Sequence, residues 1–235
     1  MGIAENAAEI NRRVSQALLR SSDPSREVKL IAVSKTFPAE RVLDAIDAGL
    51  FRFGENRVQE LVSKSEALKK KKIEWHFIGH LQTNKVKKLL DVPTKYIHSI
   101  DRMEAAIELE RQLQKRGESR DVLVEVNMSG ESSKSGVEPD KAIELIRALT
   151  KIETIKVKGL MTIGALTEDR KAVRDCFVKL REIFLRVREE AIDKVEMAEL
   201  SMGMSGDFEI AIEEGATMIR IGTAIFGERT KAAQN

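Results

Sequence analysis

Residues 28–36 read VKLIAVSKT, a short, mostly apolar run that stops at a serine and a lysine. Such a run is typical of a strand that is buried on both faces, as in a parallel sheet. The design recurs along the chain, and we predict eight strands, at residues 28–33, 50–53, 75–78, 96–99, 122–126, 157–161, 199–201 and 218–221.

Charged segments separate these strands and carry apolar residues at three- and four-residue spacing, the pattern of an amphipathic helix. Alternating strands and helices favour a parallel sheet, and eight such units close a barrel without leaving an edge. An open doubly wound sheet is the alternative, but its typical G-x-G-x-x-G loop does not follow the first strand. We therefore predict a (β/α)8 (TIM) barrel with helices at residues 3–19, 40–48, 57–69, 102–116, 139–150 and 170–191, the first of them an extra N-terminal helix.

The length of 235 residues suits one such barrel. We expect a single domain over residues 1–235, with residues 1–25 as the N-terminal helix and lead-in and residues 26–230 as the barrel. A two-domain arrangement is not required.

The charges nearly balance, because 40 Lys and Arg stand against 38 Asp and Glu and leave a formal charge of +2. Net charge therefore gives no reason to expect a nucleic-acid partner. The basic run at residues 69–72 is typical of a solvated helix end. A third function class, a scaffold that binds nucleic acid or protein, is supported only by this run and by the exposed charge.

A single cysteine, Cys176, excludes an internal disulfide and fits a reducing compartment. No apolar run approaches the roughly 20 residues that span a bilayer, and the N-terminus begins with polar and acidic residues. We expect a cytoplasmic protein with no membrane partner. Three scattered histidines without a cysteine partner predict no metal site.

Polar and glycine residues gather where the predicted strands end. In a barrel these positions share one rim, where binding and catalytic side chains are found. Packing alone does not explain such a concentration at Ser34, Lys35, Gly54, Glu55, Asn56, Gly79, His80, Asp101, Asn127, Thr162, Gly164, residues 202–205, Gly222 and Thr223.

Lys35 directly follows the first apolar run, so its amine is expected at the mouth of the barrel. Burial lowers the pKa of a lysine, and the neutral amine is the form that condenses with an aldehyde. A surface lysine at a strand end is the ordinary alternative. A phosphate site across the barrel would decide between the two.

Two glycine-containing loops supply a candidate phosphate site. Residues 220–227 (RIGTAIFG) and residues 201–207 (SMGMSGD) follow the eighth and seventh strands, where barrels commonly bind phosphate. Asp207 is expected to be the N-cap of a helix over residues 208–214.

Five ordered motifs resemble those of the pyridoxal phosphate homeostasis proteins (YggS/PROSC type). The resemblance covers residues 31–227 and is carried by AVSKT (32–36), FGENRVQE (53–60), WHFIGHLQTNK (75–85), LSMGMS (200–205) and RIGT (220–223).

The resemblance implies a barrel like the N-terminal domain of alanine racemase that holds pyridoxal 5′-phosphate (PLP) as a Schiff base on Lys35. It implies a second, flexible lysine, here Lys134, at a secondary PLP site. Arg220 would face either the pyridine nitrogen or the phosphate. The implied phosphate ligands are Ser201, Ser205, Gly222 and Thr223, and the implied ring or rim residues are Asn56, His80, Met204 and Arg220.

The expected function is intracellular PLP (vitamin B6) homeostasis, by storage or delivery of PLP and without robust catalysis. Related racemases use a tyrosine from a second domain as a base, whereas this chain ends at Asn235 and its one tyrosine, Tyr96, begins the fourth strand. The alternative is a racemase-like enzyme acting on amino acids, with Lys35 and His80 exchanging protons. Transient contacts with PLP-dependent apo-enzymes and a monomeric state are expected, with a dimer as the alternative.

Several other polar residues are better explained by packing. His76 is expected to be a satisfied barrel histidine, and His98 to lie near the rim. Glu55 and Glu60 are expected to form salt bridges within the second strand–helix unit.

Overall fold

The computed structural model describes residues 2–131, 135–164 and 167–228. Eight parallel strands, β1 to β8, form a closed barrel in chain order, and β8 pairs with β1 to complete it. The predicted (β/α)8 barrel is confirmed. The strands are β1 (Lys29–Val33), β2 (Arg52–Glu55), β3 (Glu74–Phe77), β4 (Thr94–Ile100), β5 (Arg120–Glu125), β6 (Ile155–Met161), β7 (Val195–Ser201) and β8 (Met218–Ile221).

Strand boundaries differ from the prediction mainly where polar residues join the sheet. The second strand was predicted at residues 50–53, two residues before the observed β2, which ends at Glu55. The buried carboxylate of Glu55 forms an ion pair with Lys64. Strands β4 to β7 begin two to four residues before the apolar runs. Hydrogen-bond ladders, unlike apolar patterning, extend through polar residues at the amino-terminal end of a barrel.

Helices cover the outside of the barrel in the order that the sequence predicts. The sequence analysis predicted neither the 3₁₀ turn Thr83–Lys85 nor the short helices Val86–Leu89 and Thr223–Phe226. The helices are α1 (Ile3–Leu19), α2 (Ala39–Asp47), α3 (Val58–Ala67), α4 (Val86–Leu89), α5 (Met103–Arg116), α6 (Ala142–Leu149), α7 (Arg170–Glu189), α8 (Phe208–Glu213) and α9 (Thr223–Phe226).

The extra helix α1 packs against α8 and α9, the two short helices that follow β7 and β8. Its buried face includes Ile3, Ala7 and Ile10. The Asn6 side-chain amide donates a hydrogen bond to the Ile225 carbonyl at 2.9 Å. The N-terminal helix thereby supports the loops at the closing end of the barrel.

The barrel interior is partly apolar and partly polar. Ile31, Tyr96, Leu123, Met161 and Met218 form its apolar cluster. The buried polar side chains of the interior include His76, His98, Glu125, Glu199, Ser201 and Arg220. No helix among the described residues has the length and apolar character needed to cross a bilayer.

Candidate functional site

A cavity of about 390 Å³ opens at the carboxyl ends of the strands. Eight of the nine residues predicted to hold the ligand in the main site line it, and Ser201 is the exception. Lys134, the predicted secondary site, lies outside the described residues. The lining consists of Val33, Lys35, Asn56, Ile78, Gly79, His80, Glu125, Ser135, Ile163, Met204, Ser205, Gly206, Arg220, Gly222 and Thr223.

Lys35 is half-buried at the end of β1, on a turn held by a buried ion pair. Lys64 Nζ lies 2.6 Å from Glu55 Oε1 and donates to the Ser34 carbonyl at 2.8 Å. Ser34 Oγ donates to the same Glu55 oxygen at 2.6 Å. The predicted salt bridges of Glu55 and Glu60 are confirmed, because Glu60 Oε2 also lies 3.3 Å from Lys64 Nζ.

Glu60 has a further contact with the turn that follows Lys35. Its Oε2 accepts a hydrogen bond from the Thr36 backbone amide at 2.7 Å, and Thr36 adopts a positive φ of 71°. Few non-glycine residues take this left-handed conformation, so the contact helps to hold a turn that the local sequence does not favour. The second strand–helix unit therefore positions the lysine of the first.

Arg220 projects from β8 to the floor of the cavity and is only 4% exposed. One guanidinium nitrogen donates to Ser201 Oγ at 2.7 Å and another to the Thr162 carbonyl at 2.8 Å. Burial lowers the pKa of Arg220 to about 10, while Glu125 and Asp207 raise it. Arg220 therefore remains a fixed cation at neutral pH.

Ser201 lies beneath the cavity and is fully buried. Its hydroxyl contacts Arg220 and His98 Nδ1, the latter at 3.0 Å. The structure does not bring Ser201 to the cavity lining where the sequence placed it, and its hydroxyl contacts Arg220 instead. The reason is depth, because Ser201 is the last residue of β7 and points into the barrel below the loop.

Glu125 is a lining residue that the sequence analysis missed. It is 2% exposed, and burial raises its pKa to about 7, with a further increase from Asp101 and an opposing effect from Arg220. The sequence feature that could have identified it is a single carboxylate directly after the apolar residues 122–124. Leu123 lies inside the barrel, so alternation along β5 also turns Glu125 inward.

The loops after β7 and β8 meet beside Arg220. Ser205 Oγ accepts a hydrogen bond from the Ala224 amide at 3.3 Å, which joins the two loops. Gly203 has a positive φ of 93°, and an added Cβ would lie 2.6 Å from the Ala211 Cβ. Glycine is therefore required where this loop turns into the cavity.

Asp207 stands at the N-cap position of α8, as predicted, but its side chain makes no cap hydrogen bond to that helix. Its Oδ1 instead accepts from the Met204 amide at 2.6 Å. The predicted capping role is therefore corrected, and Asp207 braces the loop that lines the cavity.

Asn56 and His80 form the opposite wall. Asn56 Oδ1 is buried and has no hydrogen-bond partner among the described residues. His80 is 45% exposed in its side chain, and its Nδ1 lies 3.6 Å from Asp101 Oδ2 and 3.3 Å from Ser135 Oγ. An added Cβ on Gly79 would lie 2.0 Å from the Asn56 carbonyl oxygen, so glycine is required for these two loops to meet.

The remaining histidines lie below the cavity and do not line it. His76 contacts His98 and Glu74, which confirms the prediction of a satisfied barrel histidine. The prediction that His98 lies near the rim is wrong, because its side chain is completely buried between His76 and Ser201. Tyr96 donates to Glu199 at 3.2 Å and also does not line the cavity.

Residues 4–230 match the family described as alanine racemase, N-terminal domain. The chain is 45% identical to a pyridoxal phosphate homeostasis protein of Aquifex aeolicus, over 97% of this chain and 99% of the relative. It is 39% identical to the human protein of the same name, over 97% of this chain and 87% of the relative.

Solved structures extend the comparison. PipY of Synechococcus elongatus with PLP bound is 34% identical, with a TM-score of 0.82 over 96% of this chain and all (100%) of PipY. An alanine racemase of Clostridium difficile is 14% identical, with a TM-score of 0.70 over 97% of this chain and 59% of the racemase, and this likeness shows the fold alone.

Proposed function

The chain belongs to the pyridoxal phosphate homeostasis protein family, and from that premise we propose that it binds PLP in the rim cavity, with Lys35 as the covalent anchor. The observation that carries the proposal is the meeting of Lys35 with Arg220 and the hydroxyls of Ser205 and Thr223 around one cavity. These groups come from both ends of the chain, and only barrel closure brings them together.

The residues present fit a flat, phosphorylated aromatic aldehyde. Polar side chains line the cavity together with the apolar side chains of Ile78, Ile163 and Met204. The unpaired, buried Asn56 Oδ1 is a polar atom that a bound ligand or water is expected to satisfy. Bound PLP supplies an aldehyde that condenses with a primary amine and releases water.

The chain's own residues have separable tasks in this proposal. Ser205, Gly222 and Thr223 hold the phosphate at the junction of the β7 and β8 loops. Arg220 presents a fixed positive charge from the floor, and the ring is enclosed by Asn56, His80 and Met204. Lys64, Glu55 and Glu60 keep the Lys35 turn in place.

A carrier role agrees with this arrangement better than amino-acid racemization does. A racemase needs a second base on the face of the substrate opposite the lysine. Tyr96, the one tyrosine of the sequence, does not line the cavity and donates a hydrogen bond to Glu199 in the barrel interior. We propose that the protein stores PLP and passes it transiently to PLP-dependent apo-enzymes.

The test is to add PLP to the purified protein and record the visible absorbance of lysine-bound PLP before and after borohydride reduction. Wild type is expected to become coloured and, after reduction, to carry the label on the peptide that contains Lys35. Lys35→Ala is expected to lose the signal, while the exposed Lys151→Ala control retains it. No label on the peptide that contains Lys35, or a Lys35→Ala variant as coloured as wild type, contradicts the proposal.

Rates separate the two function classes. A panel of racemase, transaminase and decarboxylase assays is expected to detect no turnover at ordinary enzyme rates, taken as about 1 s⁻¹ or faster. Turnover at such rates on any amino acid contradicts the carrier role and supports the racemase-like alternative.

A further inference from the structure

We propose that Ser201 and His98 are positioning residues, which hold Arg220 in place through a hydrogen-bonded chain that runs down the barrel interior to Glu74. The inference rests on the proposed function, because it assigns the support of the cation at the cavity floor. It gives a purpose to buried polar groups that ligand binding itself does not use.

The chain joins four strands and is continuous. Arg220 on β8 contacts Ser201 on β7 at 2.7 Å, and Ser201 contacts His98 Nδ1 on β4 at 3.0 Å. His98 Nε2 lies 2.9 Å from His76 Nδ1 on β3. His76 Nε2 lies 3.1 Å from Glu74 Oε1, at the amino-terminal end of the barrel.

Burial makes each of these contacts necessary. His76, His98 and Ser201 are 0% exposed, whereas the Glu74 side chain is 30% exposed. A buried polar group without a partner loses its contacts with water and gains nothing in return, so a break in this hydrogen-bonded chain would destabilise the barrel. The chain therefore begins at the cavity and ends where water reaches a carboxylate.

Donor and acceptor chemistry permits only one direction for the protons. Arginine can only donate, so Ser201 Oγ accepts from Arg220 and gives its own proton to His98 Nδ1. His98 Nε2–H then donates to His76 Nδ1, and His76 Nε2–H donates to Glu74. The reverse direction would leave the Ser201 proton without an acceptor and turn a bare imidazole nitrogen toward a carboxylate.

Both imidazoles are consequently neutral and carry the proton on Nε2. The electrostatic surroundings agree, because burial lowers the pKa of His98 well below its ordinary value, and His76 and Arg220 lower it further. Burial also lowers the pKa of His76, although Glu74 opposes that effect. Arg220 is thus the cation at the cavity end of the chain, and Glu74 is the anion at the other end.

The geometry has a direct consequence for the ligand. Two guanidinium N–H groups are committed to Ser201 and to the Thr162 carbonyl, which fixes the plane of the fork. The remaining donors of Arg220 are then presented from the cavity floor without reorganisation when the ligand arrives. Loss of the Ser201 hydroxyl would release one side of the fork while leaving every lining residue in place.

The first experiment needs no PLP. Imidazole ¹⁵N chemical shifts of the ligand-free protein at neutral pH are expected to show two neutral, Nε2-protonated rings for His76 and His98, while exposed His80 serves as an internal reference. At either position, a doubly protonated imidazolium ring or a neutral ring with its proton on Nδ1 contradicts the proposed hydrogen-bonded chain.

The second experiment compares Ser201→Ala with Ser201→Thr, which retains a hydroxyl, after PLP loading. Ser201→Ala is expected to weaken PLP retention by about three- to tenfold and to shift the visible absorbance maximum, and Ser201→Thr is expected to restore both in part. Thr217→Ala controls for the loss of a hydrogen-bonded barrel hydroxyl, since Thr217 donates to Glu199, which does not line the cavity, and not to Arg220. Its absorbance maximum is expected to stay at the wild-type position.

The outcomes distinguish the two proposals. Wild-type protein that binds no PLP contradicts the proposed function, whatever the ¹⁵N shifts show. Wild-type protein that binds PLP, together with a Ser201→Ala variant of unchanged retention and spectrum, overturns the positioning role alone. Circular dichroism and urea unfolding of each variant establish that the native fold is being compared.

Discussion

Glu125 illustrates how one buried side chain can set a pH response. The carboxyl group is almost inaccessible, and burial is the first cause of its raised pKa of about 7. Arg220 offsets only part of that effect. In the folded protein the carboxyl therefore takes up a proton at a higher pH than it does in the unfolded chain, whose reference pKa is 4.5.

The sign of the stability change follows from this difference. A carboxyl whose pKa is raised on folding favours the native state below the unfolded pKa, and this contribution is lost as the pH rises through the folded pKa. As the pH rises from about 4.5 to above 7, the ionisation of Glu125 is expected to lower the free energy of unfolding of the ligand-free protein by up to about 3 kcal/mol.

Glu125→Gln removes the titrating group and retains the shape of the side chain. We expect the free energy of unfolding of Glu125→Gln, relative to wild type, to increase from pH 5 to pH 8. Urea unfolding of both proteins without PLP measures the difference. Parallel stability curves across this pH range would show that Glu125 does not titrate there.

At the scale of elements, contacts from the neighbouring strand–helix unit position Lys35, the proposed anchor of PLP. Lys64 on α3 reaches Glu55 at the end of β2 and the carbonyl of Ser34 after β1. The Lys64 side chain is 7% exposed and that of Glu55 is 0% exposed. Removing one partner of such a pair leaves the other charge buried and uncompensated.

We predict that Lys64→Ala destabilises the protein by about 3–5 kcal/mol and weakens PLP attachment at Lys35. The matched control is Lys69→Ala, which breaks an ion pair with Glu66 whose side chains are 65% and 71% exposed, and which is expected to cost less than about 1 kcal/mol. Urea unfolding and PLP absorbance measure both effects. Similar losses in the two variants would contradict the proposed role of the buried pair.

The N-terminal helix belongs to the same level of organisation. It covers α8 and α9, which follow the two loops that line the cavity and for which we propose the phosphate contact. Its contact through Asn6 is made to the backbone of α9. The helix outside the eight-unit repeat thus supports the part of the barrel where the first and last strands meet.

At the scale of the whole molecule, ligand binding is coupled to global stability. A ligand that binds only the native state stabilises it by about 2.7 kcal/mol when its concentration is 100 times the Kd. We expect PLP to raise the Tm of wild type markedly, and pyridoxal, which lacks the phosphate, to raise it much less. Calorimetric melting of wild type with each compound measures the contrast.

Two variants locate the origin of that stabilisation. Thr223→Ala is expected to reduce the advantage of PLP over pyridoxal, whereas Lys35→Ala is expected to reduce the effect of both compounds. Equal stabilisation of wild type by PLP and pyridoxal would mean that the loops after β7 and β8 do not hold the phosphate.

Local sequence patterns were sufficient for the order of the elements and for most of the cavity wall. Apolar runs marked the strands, and polar residues directly after them marked positions such as Lys35, Asn56 and Thr223. These predictions depend on burial periodicity and on the common direction of parallel strands. Both properties are encoded within a few neighbouring residues.

Depth within the barrel and contacts between distant strands were decided by the tertiary structure alone. Ser201 and Ser205 look alike in the SMGMS loop, yet one bonds Arg220 beneath the cavity and the other lines it. The hydrogen-bonded chain from Arg220 to Glu74 joins residues that are far apart in sequence and become neighbours only when the barrel closes. Short-range periodicity carries no information on such contacts, because they depend on which side chains share a layer of the closed barrel.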